Sequence, residues 1–219
     1  MRTRDAGSFD QPLRTAASRV LAAAMFIASG AAPLASLAAT ADAAWGARNP
    51  DGSWATAAAQ AVAASTLPAS LPADVAGFCP AYAERTPEER VRFWVGLLSA
   101  MARPESNFTP EAQHVEPFAD AQGQRVVSRG LLQISIESAN QARYGCAIAL
   151  AEDLHDPAVN LACGVKILAY WVATDGAIAS HGTGPARGGG RYWSTLRERN
   201  KHLPELTGFT RQMAVCQPR

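Results

Sequence analysis

The segment between Thr86 and Glu105, TPEERVRFWVGLLSAMARPE, restricts the fold of this chain more than any other part of it. A threonine at the cap, a proline in the first turn and a glutamate at the third helical position together predict a helix start. Apolar residues then recur at steps of three and four, which places them on one helical face. We therefore expect a long helix that buries Val91, Trp94, Leu98 and Met101.

Glu105 continues the same spacing, so an ideal helix carries its carboxyl group on the buried face. Pro104 disfavours a helix that extends to Glu105, because proline clashes with the carbonyl group four residues earlier and disfavours a helical conformation at Arg103. We predict that the helix ends or bends just before Glu105.

The remaining sequence also favours helices over strands. Asp156 and Pro157 form a second cap and first-turn pair, which predicts a helix to about Thr174. Residues 111–129 are polar and rich in turn residues, so they predict at most a short hairpin. Long alternating strands are absent from the sequence. The predicted fold class is mostly α, a single compact helical domain with at most a small hairpin.

Composition divides the chain into three parts. Residues 1–43 combine a basic start, an apolar run and a small-residue exit, which predicts a signal peptide cleaved after Ala43 and export to the periplasm. An uncleaved membrane anchor is the less favoured alternative, because Gly30 and Pro33 interrupt the apolar run. Residues 44–75 are rich in Ala, Ser and Pro, which predicts a linker or loosely ordered arm. Residues 76–219 are long enough for one domain with one core.

The charge of the chain gives little reason to expect a nucleic-acid partner. The formal net charge is +1, and acidic and basic residues remain balanced without the predicted leader. Residues 186–219 hold seven basic residues against two acidic ones. This local excess predicts a solvated basic surface or, as the less favoured alternative, a site that faces an acidic polymer.

Four cysteines in an exported chain favour two disulfide bonds, for which three pairings are possible. We favour Cys146 with Cys163, which closes a short loop between two predicted helices. The remaining pair, Cys79 with Cys216, then ties the start of the domain to its end. There is no Cys-x-x-Cys motif and the four histidines are scattered, so we predict neither a metal site nor a cofactor.

The position of Glu105 suggests a chemical role. A carboxyl group at the end of an apolar helix loses hydration, which disfavours its charged form and raises its pKa. A carboxylic acid that stays protonated near neutral pH suits glycosidic bond cleavage, because the leaving oxygen must gain a proton. For an isolated glutamate, an ordinary surface charge is the competing interpretation.

Four motifs in order strengthen the chemical interpretation: ESNFTPEA (105–112), SRGLLQIS (128–135), DPAVNLACGVKIL (156–168) and GGGRYW (188–193). Together they span roughly residues 86–195 and resemble the lytic transglycosylase domain of the lysozyme superfamily. Members of that family cleave the glycan of bacterial peptidoglycan without water. The resemblance implies an α+β lysozyme-like fold and an enzyme.

The resemblance also implies roles for individual residues. Glu105 matches the catalytic acid of the family, and Ser106 matches the residue beside it, which we assign to substrate binding. Gln133 matches a glutamine that is expected to contact sugar. Tyr192 matches the tyrosine of the final motif, although Trp193 stands where that motif usually has asparagine.

Other positions fit less closely or have a structural interpretation. The Gly-Ala pair that usually precedes the second motif is here Val127-Ser128, and Leu132 stands where methionine is commoner. In the third motif, helix capping and packing explain the matching residues at least as well as substrate contact. Those residues are Asp156, Asn160 and Gly164.

By resemblance, the reaction is cleavage of the β-1,4 bond between MurNAc and GlcNAc. Glu105 acts first as acid and then as base, and the product carries a 1,6-anhydro-MurNAc end. A lysozyme-type hydrolase is the first alternative, and it normally requires a second carboxylate. By position Glu116 and Asp120 are the main candidates for that carboxylate, and Glu111 and Glu137 are further ones.

A non-catalytic peptidoglycan-binding or assembly factor of a secretion apparatus is the second alternative. The implied partners are peptidoglycan glycan strands, and secretion or conjugation machinery remains an open alternative partner. We expect a monomer that needs no cofactor.

Overall fold

The computed structural model describes residues 43–219, so the predicted signal peptide lies, apart from Ala43, outside the described residues. The described part confirms the mostly α class with a small hairpin and matches the lysozyme-like expectation. Its helices and strands are α1 (Ser53–Ala63), α2 (Val75–Phe78), α3 (Pro87–Ser106), β1 (Gln113–Ala119), β2 (Arg125–Arg129), α4 (Ile136–Ala139), α5 (Pro157–Asp175) and α6 (His202–Gln212).

The long helix α3 lies at the centre of the domain and contacts both α1 and α6. Its start is the predicted capping box. The Thr86 hydroxyl accepts a hydrogen bond from the Glu89 backbone N–H at 3.3 Å, and the Glu89 carboxylate accepts one from the Thr86 N–H at 2.9 Å. The predicted apolar face is buried, with Trp94, Leu98 and Met101 fully enclosed. Local capping and helical spacing therefore account for α3.

The predicted end of α3 before Glu105 is not observed, because the helix continues through Pro104 to Ser106. Asn107 ends the helix in the left-handed conformation, with a φ of 50°, and its N–H donates to the Arg103 carbonyl at 2.9 Å. Proline removes one backbone hydrogen-bond donor from the helix. The packed turns before Pro104 and the hydrogen-bonded cap at Asn107 stabilise the helix nevertheless. Glu105 therefore keeps its place on α3.

The structure also corrects the prediction of a linker over residues 44–75. Helix α1 packs against α3 and α5, and its residues Ala58 and Val62 are fully buried. The carboxylate of Asp74 accepts hydrogen bonds from the backbone N–H groups of Ile178 and Ala179 at 2.8 and 2.9 Å. Alanine side chains permit close helix packing, so an alanine-rich segment with little charge is here part of the core.

Helix α5 is the second long helix of the core. The Asp156 carboxylate caps it by accepting a hydrogen bond from the Val159 N–H at 3.0 Å, and Gly176 ends it with a φ of 63°. These bounds agree with the predicted helix. By length and mean hydropathy α5 could cross a membrane, yet 56% of its apolar window is buried inside the domain. Such burial is typical of a core helix.

Two disulfide bonds join distant parts of the chain, in the pairing that the sequence analysis favoured. Cys79 is bonded to Cys216 across 137 residues, which ties the segment before α3 to the turn after α6. Cys146 is bonded to Cys163 across 17 residues, which ties the loop after α4 to α5. Both bonds restrict the unfolded chain, and the longer loop restricts it more.

Strands β1 and β2 form an antiparallel hairpin in which Val115 lies opposite Val127. The Asp120 carboxylate holds the turn by accepting hydrogen bonds from the backbone N–H groups of Gln122 and Gln124 at 2.9 and 2.7 Å. This is an Asx-type turn, in which a side chain replaces backbone hydrogen bonding. The hairpin forms one wall of a cleft beside the end of α3.

If α1 belongs to the core, Ala58→Glu should lower the free energy of unfolding by more than about 3 kcal/mol, because it buries a charge without a partner. Ala63→Glu, at the exposed end of the same helix, is the matched control and should change stability by less than about 0.5 kcal/mol. Urea denaturation with the disulfides intact measures both values. Equal tolerance of the two variants would restore the linker interpretation.

Candidate active site

A cleft of about 500 Å³ lies where the end of α3, the hairpin and the segments after β2 and α5 meet. Its lining includes three of the predicted site residues and several residues that the sequence analysis did not assign. The lining residues used below are Glu105, Glu116, Gln133, Tyr144, Trp171 and Tyr192.

Glu105 is half-buried at the floor of this cleft, and its carboxylate accepts a hydrogen bond from the Thr195 hydroxyl at 2.7 Å. Burial raises the pKa of Glu105 to about 7, and this effect outweighs the opposing effects of Thr195 and His202. The charge of Glu116 raises that pKa further. A carboxyl group with a pKa near neutral can both donate and accept a proton at physiological pH.

Ser106 does not line the cleft, so the prediction that it binds substrate is corrected. Its side chain is buried, and its hydroxyl lies 3.1 Å from the Ala102 carbonyl and 3.0 Å from the Leu131 carbonyl. The contact with Leu131 ties the end of α3 to the loop after β2. Ser106 therefore positions Glu105 and this loop relative to each other.

The buried side chain of Asn160 holds the same loop from the other side. Its amide oxygen accepts the Leu132 N–H at 2.9 Å, and its amide nitrogen donates to the carbonyls of Arg129 and Leu154 at 3.0 and 2.9 Å. A Cβ on Gly130 would lie 2.1 Å from the Leu154 carbonyl oxygen, so only glycine fits there. Of the third-motif residues, Asn160 thus serves packing.

Gly164 and Asp156 also have structural roles. A Cβ on Gly164 would lie 2.3 Å from a methyl group of Leu132, so this glycine lets α5 approach the loop. Asp156 caps α5 through the Val159 N–H. The structure therefore supports the capping and packing interpretation of these residues.

Gln133 lines the cleft at the end of the loop, in a left-handed backbone conformation with a φ of 48°. Its amide nitrogen donates to the carbonyls of Gly130 and Ala112 at 2.9 and 3.2 Å. The amide oxygen has no hydrogen-bond partner among the described residues. A non-glycine residue in this conformation is strained, which is typical of residues held in place at functional sites.

Tyr192 also lines the cleft, and burial raises its pKa to about 12, against the smaller effect of a hydrogen bond to Ser138. The phenol therefore stays neutral and keeps its proton for donation. Trp193, the departure from the usual motif, is buried and its indole N–H donates to the Leu132 carbonyl at 2.9 Å. The tryptophan thus fixes Tyr192 beside the same loop.

Of the candidates for a second carboxylate, the structure places only Glu116 in the lining of the cleft. Glu116, on β1, lines the cleft and accepts a hydrogen bond from the Ser128 hydroxyl at 2.6 Å. Asp120 holds the hairpin turn, and Glu111 and Glu137 are exposed and do not contribute to the lining. Ser128, which stands where the motif that this segment resembles usually has alanine, therefore orients the carboxylate of Glu116.

The sequence analysis missed several lining and contact residues. Thr195 lies 90 residues from Glu105 in the chain, and no local pattern links the two. Trp171 lies within the helix predicted to about Thr174, but no role was assigned to it; it is half-buried and faces the cleft, whereas the neighbouring Val172 is buried. Among residues 43–219 no cluster of three His, Cys, Asp or Glu side chains suits a metal ion.

The fold and the cleft, with a glutamate of raised pKa at the end of an apolar helix, define a lysozyme-like protein. Residues 83–198 match the Transglycosylase SLT domain family, and the chain belongs to this family. Membership supports a transglycosylase-type function that cleaves peptidoglycan. A search of curated proteins found no match to this chain.

The structure is also similar to solved structures of Bd0314 DslA. One glutamate-to-glutamine variant has a TM-score of 0.76 and 39% sequence identity, covering 81% of this chain and 99% of that one. The wild-type protein, form 2, has a TM-score of 0.73 and 41% identity, covering 79% and 96%. A second glutamate-to-glutamine variant has a TM-score of 0.74 and 40% identity, with the same coverage.

The raised pKa of Glu105 predicts a pH-dependent gain of stability in Glu105→Gln. The folded state favours the protonated acid, so wild-type stability should fall as the pH rises from about 4.5 to about 7. Glutamine carries no charge, so the variant should be about 3 kcal/mol more stable than wild type at about pH 8. The two should converge at about pH 4.

Denaturant titrations at several pH values check this expectation, with Glu111→Gln as the matched control at an exposed position. The control should show no pH-dependent difference from wild type. A stability difference for Glu105→Gln that is the same at acid and alkaline pH would contradict a raised pKa.

Thr195→Val should move the pKa of Glu105 further upward, because it removes a donor that stabilises the charged carboxylate. An acid must be protonated to act, so the alkaline limb of the pH–rate profile should shift to higher pH. Thr56→Val, which alters a hydroxyl bonded to the Gly52 carbonyl in α1, is the control and should leave the profile unchanged. A downward shift for Thr195→Val would refute this role.

Proposed function

We propose that this protein is a peptidoglycan lytic transglycosylase that cleaves the β-1,4 bond between MurNAc and GlcNAc. The observation that carries the proposal is the Glu105 carboxyl group, which burial keeps at a pKa of about 7 in an open cleft. Such a group is protonated often enough to donate and charged often enough to accept a proton near neutral pH.

In the first step Glu105 donates its proton to the glycosidic oxygen between the two sugars. The bond from that oxygen to C1 of MurNAc breaks, GlcNAc leaves as the alcohol, and positive charge develops on the muramyl ring. The carboxylate left on Glu105 then stabilises that charge. The Thr195 hydroxyl supports this charged form through its hydrogen bond.

In the second step the Glu105 carboxylate takes the proton of the MurNAc C6 hydroxyl. The C6 oxygen bonds to C1 and closes the 1,6-anhydro ring, which returns Glu105 to its acid form. An intramolecular hydroxyl has a high effective concentration, so it can compete with water. Atoms and protons balance without a cofactor or a metal ion.

Two further residues are proposed to hold the sugar. The free amide oxygen of Gln133 points to a role as acceptor for a sugar hydroxyl or amide group, since its nitrogen is occupied by backbone carbonyls. Tyr192 stays protonated and offers its phenol to the sugar beside Glu105. Ser106 acts behind the site, through Leu131, rather than on substrate.

Hydrolysis is the second candidate, and the position of Glu116 favours it. This carboxylate lines the same cleft and is held by Ser128, so it could direct a water molecule or stabilise the cation. The two variants of Bd0314 DslA replace glutamates that are eleven positions apart in its sequence, and Glu105 and Glu116 have the same separation.

Mass spectrometry of the products from purified peptidoglycan distinguishes these reactions. We expect anhydro-muramyl ends from the wild-type protein and a loss of at least about a hundredfold in rate for Glu105→Gln, because general acid catalysis contributes that much. Glu116→Gln should retain most of the activity if water is not the nucleophile. Glu111→Gln is the exposed control and should match wild type.

Two other outcomes would assign a different function to the protein. Reducing ends, lost in both Glu105→Gln and Glu116→Gln, would make it a hydrolase that uses two carboxylates. Binding to sacculi without release of any product would favour a non-catalytic binding or assembly role.

We also propose that the protein acts in the periplasm as a monomer. Two disulfide bonds fit an oxidising compartment, which supports export. The predicted signal peptide and any secretion or conjugation partner remain predictions from the sequence. Cell fractionation with an antibody against the domain tests the location, and a cytoplasmic protein with reduced cysteines would refute it.

A further inference from the structure

Beyond Tyr192 the cleft continues onto an aromatic–arginine cluster, formed by Arg143, Tyr144, Trp171 and Arg191. The rings of Tyr192 and Tyr144 lie 6.5 Å apart, and those of Tyr144 and Trp171 lie 6.3 Å apart. The Trp171 indole N–H donates to the Tyr144 hydroxyl at 2.9 Å, which fixes both rings. A row of aromatic rings in edge-to-face contact therefore leads from the Glu105 end of the cleft to two cations.

Both arginines are oriented by neighbours. The guanidinium of Arg143 lies 5.3 Å from the centre of the Trp171 ring, and that of Arg191 lies 4.8 Å from it. Arg191 donates from Nε and Nη2 to the Asp175 carboxylate at 2.6 and 3.0 Å. Arg143 donates from Nε to the Gln141 amide oxygen at 2.8 Å, and its Nη2 contacts the same oxygen.

These contacts leave one edge of each guanidinium available. The Nη1 groups of Arg143 and Arg191 have no hydrogen-bond partner among the described residues. A guanidinium edge with parallel N–H groups matches the geometry of a carboxylate. Asp175 partly neutralises Arg191, whereas Arg143 has no carboxylate partner within the described part of the chain.

We propose that the aromatic–arginine cluster is a subsite for a carboxylate group attached to the glycan strand. The carboxylate is bound by the free edges of Arg143 and Arg191, while the Trp171 and Tyr144 rings hold the two guanidinium groups in place. In peptidoglycan such carboxylates occur on the peptide stems and on the lactyl group of an unsubstituted muramyl residue. This inference rests on the proposed function, and it gives the enzyme a preference among glycan strands.

Rates on paired substrates test this subsite. Soluble peptide-bearing strands are compared with the same strands after amidation of their carboxylates, which removes the negative charge and leaves the glycan unchanged. For the wild-type protein we expect kcat/KM to be about tenfold lower on the amidated strands, the effect of losing a charge-assisted contact. High salt should reduce the difference.

Arg143→Gln should abolish the preference by lowering activity on native strands to that on amidated strands. Arg143→Lys keeps a cation without the planar fork and should restore part of the preference. Arg92→Gln removes the same charge from an exposed position of α3 outside the cleft lining and should behave as wild type. Arg143 is exposed, so these substitutions should not impair folding.

Strands stripped of their peptides by an amidase identify the source of the carboxylate. A preference that persists on these strands assigns the lactyl group, and one that disappears assigns the peptide stem. Equal rates of the wild-type protein on charged and amidated forms of both the peptide-bearing and the peptide-stripped strands would overturn the subsite, as would equal charge preference in Arg143→Gln and wild type.

Binding measurements separate a failure of the subsite from a failure of the proposed function. The Glu105→Gln protein, with and without Arg143→Gln, is titrated with native and amidated strands. Charge-dependent binding without cleavage by the wild-type protein would refute the function and keep the subsite. Cleavage without any charge dependence of binding would refute the subsite and keep the function.

Discussion

The buried amide of Asn160 is the contact on which the cleft depends. From α5 it satisfies the backbone groups of Leu132, Arg129 and Leu154, of which Leu132 and Leu154 are fully buried. Each buried polar group left unpaired costs about 1–3 kcal/mol, so the loop has few competing conformations. Ser106 bonds to the same loop from α3, the helix that carries the acid. The two long helices and the loop therefore form one rigid support for the cleft.

Different groups set the electrostatics at the two ends of the cleft. At one end burial favours the neutral form of Glu105, while the Thr195 hydroxyl favours the charged form, and the balance leaves a pKa of about 7. A residue that acts as acid and then as base needs such a balance. At the other end Arg143 and Arg191 keep free edges beside an aromatic surface. The proposed acid and the proposed cationic subsite suit an anionic polymer.

Much of the fold could be predicted from the sequence, because its signals are local. The capping residues Thr86 and Asp156 and the apolar spacing after them place both long helices. The residues of α1 were misinterpreted because an alanine-rich stretch has the composition of a linker and of a tightly packed helix alike. The effect of Pro104 was overestimated because proline destabilises a helix locally, whereas the packing of α3, which the sequence does not show, offsets that destabilisation.

The sequence by itself determined the two long helices and the mostly α fold class and singled out Glu105, since caps and helical periodicity act between residues a few positions apart. Motif order added Gln133 and Tyr192, which the structure places in the cleft. Only the tertiary structure decided that Thr195 holds Glu105, that Ser128 holds Glu116 and that Ser106 faces the core. Those contacts join distant parts of the chain, and their existence depends on how helices and loops pack rather than on any local pattern.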